Sequence, residues 1–392
     1  MTHEIRTLKD GEKITEPGFY RIPLDQHHSQ PCDGVSVTSG ILRAMDSQTP
    51  EDVWAFHQLN ENTEPTPLAP KKYVREETDA LRLGAAMAAF IEDGIDGLKE
   101  LYKILPPDKP NRPTPVQMEK WGPYIGKKLG DLFMTIPEDA PRRPTKAQLA
   151  ALDAGKPVSD TAQESIRFWA AVENDPREVI KPADLESLRK GLTSISFWQN
   201  VDADPRRELS DTELRLLSEM GEVLVANDMA RLALSGEPEI TMAYKHEPSG
   251  LWVLSRPDNV TFDGQTADYK KVSTQGRAFT TSLCDRRIEE HGYDMQMALA
   301  GEALEQLGVG WPTAVGLVFQ KDKPPYSVIL RDLLEEDLQI ARWRNHSAIM
   351  RFAECLDSGR WPGPGEHVTA YQMPDWKREK YLELMNVEGK AP

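Results

Sequence analysis

The run AVGLVFQ, residues 314–320, is almost continuously apolar, the pattern of a strand buried on both faces. Upstream, EITMAYK and LWVLS (239–245 and 251–255) flank the turn-forming HEPSG, and together they predict a β-hairpin. Residues 251–271 read as two short strands joined by a turn, with Asp258 at the end of the first, the turn dipeptide Asp263-Gly264 between them, and Asp268 on the second. A helical stretch is expected over 281–307, interrupted at Gly292. A strand over 326–330 and a long helix over 332–357 follow it. The C-terminal part therefore runs hairpin, strand, helix, strand.

The first half of the chain is patterned differently. Gly18-Phe19-Tyr20-Arg21 reads as a short strand, followed by an amphipathic helix carrying Ile41, Leu42 and Met45. Trp54, Phe56 and His57 lie on the next helical piece, so this region reads as an N-terminal cap packed by aromatics. Residues 61–75 are polar and Pro-rich, as loops are, and 79–93 (DALRLGAAMAAFIED) predicts a helix whose small residues allow close packing. A short repeat stands in the Pro-rich stretch 105–160: Arg112-Pro113-Thr114 before Gln117, and Arg143-Pro144-Thr145 before Gln148, 31 residues on. Each copy reads as a turn into a helix with Thr as the cap, and two copies are too few for a solenoid. Residues 160–235 are helical, with Ile166, Phe168, Trp169 and Val172 at helical spacing and Ser210 and Glu213 in a capping-box pattern. The expected organisation is an N-terminal segment with the first core helix (1–104), a Pro-rich and helical insertion (105–236) and a core with its tail (237–392).

Composition narrows the function classes. A net charge of −16 over 392 residues argues against a non-specific coater of nucleic acid, which should be basic. A local basic channel still works inside an acidic surface, because exposed charges act over a Debye length of about 8 Å. No run of about 18 apolar residues predicts a membrane span. The opening MTHEIRTLKDGEKI has no apolar signal-peptide core. Cys32, Cys284 and Cys355 show no paired spacing, which argues against a disulfide framework or a zinc cluster. A cytoplasmic, reduced chain is expected.

The candidate chemistry sits at Asp258 and Asp268-Tyr269-Lys270. Residues two apart on a strand share a face, so Asp268 and Lys270 project together, within reach of Asp258. Two carboxylates and an amine suit Mg²⁺ (or Mn²⁺), which prefers carboxylate oxygen and keeps water and substrate phosphate in its shell. Glu239, at the start of the hairpin, is a candidate outer carboxylate. The carbonyl of Tyr269 is a further candidate ligand. Lys271, Arg277, Arg286 and Arg287 are candidate phosphate contacts. Tyr293 and Gln296 lie three apart on one helix face and complete the candidate catalytic group Asp258, Asp268, Lys270, Gln296 and Tyr293.

Arg256-Pro257-Asp258, then Asp268-x-Lys270 and Gly292-Tyr293-x-x-Gln296, resemble the PD-(D/E)XK nuclease superfamily, and within it the exonuclease VIII (RecE-type) nucleases. The opening is loosely similar at His27 or His28, Ser39 and Trp54, and the tail SGRWPGPGEHVTAYQMPDW resembles that family's ending. The resemblance implies an α/β fold, an α+β mixed sheet with flanking helices in a restriction-endonuclease-like core. It also implies a metal-dependent exonuclease on ends of double-stranded DNA, acting 5′ to 3′ and working as a closed homo-oligomer. A RecT-type annealing protein as partner, and a setting in phage or prophage recombination, belong to the same implication. One departure is plain: where the family's first core helix reads G-x-x-x-H, this chain has Ala88, leaving His246 and His291 as the substitutes nearest in sequence. Two other readings stay open on these residues. One is a DNA-binding or scaffold protein on a catalytically impaired nuclease fold; the other is a defence-type endonuclease on the same core.

Overall fold

Two five-stranded mixed sheets frame Met1–Ile95 and Arg215–Pro392, one of the two units into which the chain divides; the other is Asp96–Leu214. The structure, a computed structural model, describes residues 3–9, 11–74, 78–365 and 371–387. Among these, no helix is long and apolar enough to cross a membrane.

The first sheet runs Ile5–Thr7, Gly18–Arg21, Thr241–His246, Leu251–Ser255, Ser36–Thr38. Its centre is the expected hairpin, with Val253 opposite Tyr244. The N-terminal segment is woven into this sheet: Gly18–Arg21 pairs with one hairpin strand, and Ser36–Thr38 runs parallel to the other. The second sheet runs Val328–Asp332, Ala314–Lys321, Gln265–Val272, Asn259–Thr261, Glu237–Pro238. Leu251–Ser255 thus does not pair with the strand carrying Asp268, as a simple two-strand reading of 251–271 expected. Pro257 has no N–H to give to a ladder, and Arg256-Pro257-Asp258 carries the chain from one sheet to the other. The turn at Asp263-Gly264 instead joins Asn259–Thr261 to Gln265–Val272.

Gln265–Val272 and Ala314–Lys321 are parallel, with Asp268 opposite Leu317, so a crossover must join them. It consists of helices Thr281–His291 and Tyr293–Gln306, broken where Gly292 adopts φ +61°. The second helix is buried nearly throughout, and its buried positions are apolar or small apart from Glu302. Leu299, Ala300, Ala303 and Leu304 pack with Met242, Tyr244 and Val253 of the hairpin. Met295, Met297 and Ala298 pack with Leu317 and Phe319 of the parallel strand. A Cβ on Gly301 would stand 3.2 Å from Pro312 and Trp311, which explains the glycine in a helix interior.

The helix expected over 79–93 breaks at Asp93 and Gly94, beyond which a second helical piece reaches Leu101. In the tail, Trp361 is buried and stacks on Trp54 with ring centroids 4.1 Å apart, whereas Trp376 is exposed. Residues 366–370 of the tail motif lie outside the described residues.

The Asp96–Leu214 unit starts and ends earlier than the 105–236 segment read from composition. It is built twice over. Tyr102–Leu105 pairs in parallel with Arg207–Ser210, and Phe133–Met134 with Glu178–Val179. After each leading strand comes an Arg-Pro-Thr entry: Thr114 and Thr145 accept the N–H of Gln117 and Gln148, whose Oε1 atoms accept the threonine N–H at 2.9 and 2.8 Å. A Ser-x-x-x-Trp helix face holds each entry. Ser194 Oγ and Trp198 Nε1 donate to the carbonyls of Asn111 and Pro110, and Ser165 and Trp169 donate to Arg142 and Pro141. Arg112 and Arg143 lie over the two indole rings at 4.2 and 4.6 Å. Each helix then leads to Asp-Pro-Arg, whose arginine pairs with the aspartate and donates to a carbonyl at the start of its own copy: Arg206 to Lys99, Arg177 to Gly130. The copy at 130–179 is therefore nested inside the copy at 99–210, and the short repeat is the visible half of a longer one.

Candidate active site

The step between the sheets positions the site. Asp258 stands just before Asn259–Thr261, while Asp268 and Lys270 project from the neighbouring Gln265–Val272. The Asp258 N–H donates to Asp268 Oδ1 (3.2 Å), and the Tyr269 N–H donates to Asp258 Oδ2 (2.6 Å). Lys270 Nζ forms an ion pair with Asp268 Oδ2 and donates to Gln296 Oε1 (3.1 Å), and Gln296 Nε2 donates to Asp268 Oδ1 (3.0 Å). The ammonium also lies 4.6 Å from the centroid of the Tyr293 ring. The break at Gly292 starts a new helix at Tyr293, and one turn then brings both Tyr293 and Gln296 to the strand. The five candidate catalytic residues thus form one connected cluster.

Its charges do not balance. Asp268 is 1% exposed and the Lys270 side chain 16%. Burial, then repulsion from Asp268, outweighs the pull of Lys270 and pushes the Asp258 carboxyl up to about 8. Burial works against the Lys270 charge too, but Asp268, Asp258 and Tyr293 outweigh it and hold the ammonium above its ordinary pKa. Asp268 Oδ2 is met directly by the Lys270 ammonium. Among the described residues no group of three or more His, Cys, Asp or Glu side chains could hold a metal. A divalent cation here would have two carboxylates, with water and substrate oxygen for the rest. That donor set fits Mg²⁺ and the missing positive charge.

Glu239 is close but engaged. Its N–H donates to the Asp258 carbonyl (3.2 Å), and its carboxylate is ion-paired with Arg256, which also donates to the Ile22 carbonyl. Glu239 holds φ +53°, an uncommon conformation for a non-glycine residue. Tyr269 meets Asp258 through its N–H, and its hydroxyl donates to buried Gln320 (2.7 Å). Lys271 is half-buried, next to Lys270 on the same strand, and Arg277 and Arg286 are exposed on the following turn and helix. Arg287 is taken up by Glu290 (2.7 Å) and the Ser273 carbonyl (3.5 Å).

One cation escaped the sequence reading. Arg43, on helix Ser39–Ser47, donates to the His291 carbonyl (2.9 Å), and its guanidinium lies 5.9 Å from the Tyr293 ring centroid. Burial lowers its pKa, while Tyr293, Asp268 and Asp294 pull the other way, so Arg43 faces the same negative charge as Lys270. The motif at Ser39 marked its helix, but no spacing marked the arginine. Of the histidines, His291 packs on Tyr293 with ring centroids 5.3 Å apart, whereas His246 bonds to Ser249 and His346. His27 is buried against Thr241 Oγ1 (3.0 Å), and burial, then His28 and Arg256, keep it neutral. Ala88 is half-buried on its helix. No histidine hydrogen-bonds to Asp258, Asp268 or Lys270 among the described residues.

No family model and no curated protein sequence matches the chain. Among solved structures, a crystal structure from Eubacterium rectale named "Putative exonuclease" is similar over 94% of this chain and 98% of that one, with a TM-score of 0.49 and 11% identity. Identity this low transfers neither residues nor activity.

Proposed function

We propose that the chain is a divalent-cation-dependent nuclease that hydrolyses phosphodiester bonds of linear double-stranded DNA from an end. The observation that carries this reading is the buried Asp258–Asp268–Lys270 array, short of one positive charge and braced by Gln296. Asp258 and Asp268 would hold Mg²⁺ or Mn²⁺, which when bound supplies charge to stabilise the phosphorane-like transition state. Lys270 is held protonated, so it acts as a donor rather than a base: it orients the attacking water and neutralises a phosphate oxygen. Water attacks phosphorus in line with the leaving 3′ oxygen, its proton passing to solvent, and a 5′ phosphate results. Gln296 fixes the Lys270 ammonium against Asp268 and is a positioning residue.

The end requirement, 5′ to 3′ polarity, closed homo-oligomer, RecT-type partner and recombination setting rest on the resemblance to exonuclease VIII-type enzymes, and a cytoplasmic location on the scattered cysteines. Lys271, Arg277 and Arg286 are the proposed phosphate contacts along the DNA. A catalytically silent DNA-binding fold is the second reading, favoured by Ala88 at the family's histidine position.

End-labelled linear duplex and a closed circle, each incubated with Mg²⁺ or chelator, separate these readings. Mg²⁺-dependent loss of the linear substrate alone supports the exonuclease. Nicking of the circle indicates an endonuclease, and no cleavage of either leaves the silent fold.

A further inference from the structure

A second buried polar cluster lies on the same central helix and takes no part in the chemistry above. His246 ends the strand Thr241–His246, and His346 lies on helix Glu335–Ser358. His246 Nε2 and His346 Nδ1 face each other at 3.3 Å, with the ring planes 71° apart. The remaining nitrogen of each ring is already held: His346 Nε2 by Glu302 Oε1 (2.8 Å), and His246 Nδ1 by Ser249 Oγ (2.9 Å). Glu302 is 1% exposed, while the His346 side chain is 41% exposed.

We propose that His246 and His346 form a two-imidazole site for a divalent transition metal such as Zn²⁺ or Co²⁺. An ionised carboxylate only accepts, so His346 carries its proton on Nε2 and presents a lone pair at Nδ1. Without metal, His246 Nε2–H fills the gap between the rings, and Ser249 donates to His246 Nδ1. Metal entry moves the His246 proton from Nε2 to Nδ1, where it is donated to Ser249 Oγ. The Ser249 hydroxyl turns to the His246 carbonyl, already 3.5 Å away. The step runs between two neutral rings, any proton held on His346 Nδ1 passing to solvent first, and no co-reactant is needed. Two nitrogens at tetrahedral Zn–N distances of ~2.0–2.1 Å are separated by about 3.3 Å, the gap found here. Glu302 behind His346 is the carboxylate that commonly orients a metal-ligating histidine. Imidazole nitrogen favours Zn²⁺ and its neighbours over Mg²⁺. With no third protein ligand among the described residues, water fills the other positions from the exposed His346 side.

The test is calorimetric titration of the full-length metal-free protein with Zn²⁺ in excess Mg²⁺, paired with the visible absorption of added Co²⁺. One Zn²⁺ site is expected, kept in an Asp258→Asn, Asp268→Asn double variant and lost in His346→Gln. Glu302→Gln should weaken it about 10–100-fold. Thermal unfolding checks that each variant is folded, and His346, being half-exposed, is the substitution least able to disturb the core. Zn²⁺ affinity in His346→Gln within about twofold of wild type overturns the proposal, as does Zn²⁺ binding abolished by the double aspartate variant alone, or no Zn²⁺ binding at all. Failure of the nuclease reading leaves this site untouched.

Discussion

Helix Tyr293–Gln306 reaches two buried polar clusters, and they are balanced in opposite ways. Gln296 bonds to Asp268 and Lys270 in a cluster of two carboxylates and one ammonium, where burial and then repulsion from Asp268 drive Asp258 up to about 8. Glu302 touches the His346 imidazole, whose pKa its hydrogen bond raises against burial, and it is also ion-paired with Arg342 (3.8 Å), so that cluster carries its own cation. The first is rich in hard oxygen and short of charge; the second offers nitrogen and a replaceable proton. Charge deficit and donor type, rather than the crowding of polar groups, distinguish what each cluster takes.

Breaking the first cluster should cost most. Lys270→Ala removes the cation paired directly with Asp268, and Mg²⁺-dependent cleavage should fall by about 10²–10³-fold or more, the scale seen when a preorganised transition-state donor is lost. Initial rates on labelled duplex read this directly.

Asp258→Asn should abolish cleavage to a similar extent while stabilising the metal-free protein. The native pKa of about 8 lies above the ordinary 3.8, so the group's stabilising contribution is complete below 3.8 and lost as pH rises through about 8. Thermal scans in chelator should show wild type losing stability relative to Asp258→Asn between pH 4 and 8. Added Mg²⁺ should remove that difference. A variant less stable than wild type at pH 8 in chelator would mean that the two carboxylates do not oppose each other.

Gln296→Ala should have an intermediate effect, lowering kcat by about 10–10²-fold with little change in KM, because it positions Lys270 without needing to touch substrate. A rise in KM alone would place Gln296 on the DNA instead. Glu302→Gln sharpens the comparison from the other side: turnover should stay within about threefold, with stability lowered by roughly 1–3 kcal/mol for the lost charged hydrogen bond.

Local patterns made much of this architecture legible. The break at Gly292, the buried strand after residue 313, the end of the first core helix near Asp93, and the capping boxes at Thr114, Thr145 and Ser210 follow from short-range rules that the structure obeys. The juxtaposition of Asp268 and Lys270 was likewise written in strand periodicity. What stayed hidden was long-range. Nothing near Ser36–Thr38 announces that it pairs with Leu251–Ser255, and the switch of sheets at Pro257 cannot be told from a bulge within one strand. Arg43 joins the cluster only because its helix packs on the central crossover helix. The nested repeat was half visible: Arg-Pro-Thr stands out by composition, while its partner Ser-x-x-x-Trp resembles any helix face until the hydrogen bonds are seen.

The central claim, that Asp258 and Asp268 form a cation site completed from solution, is tested most directly by Mn²⁺ binding to the metal-free protein, read by the loss of the free-ion electron paramagnetic resonance signal. A carboxylate site is predicted in wild type, displaced by excess Mg²⁺ and absent from the Asp258→Asn, Asp268→Asn double variant. Mn²⁺ binding that Mg²⁺ does not displace, or that survives in the double variant unchanged, would contradict the account.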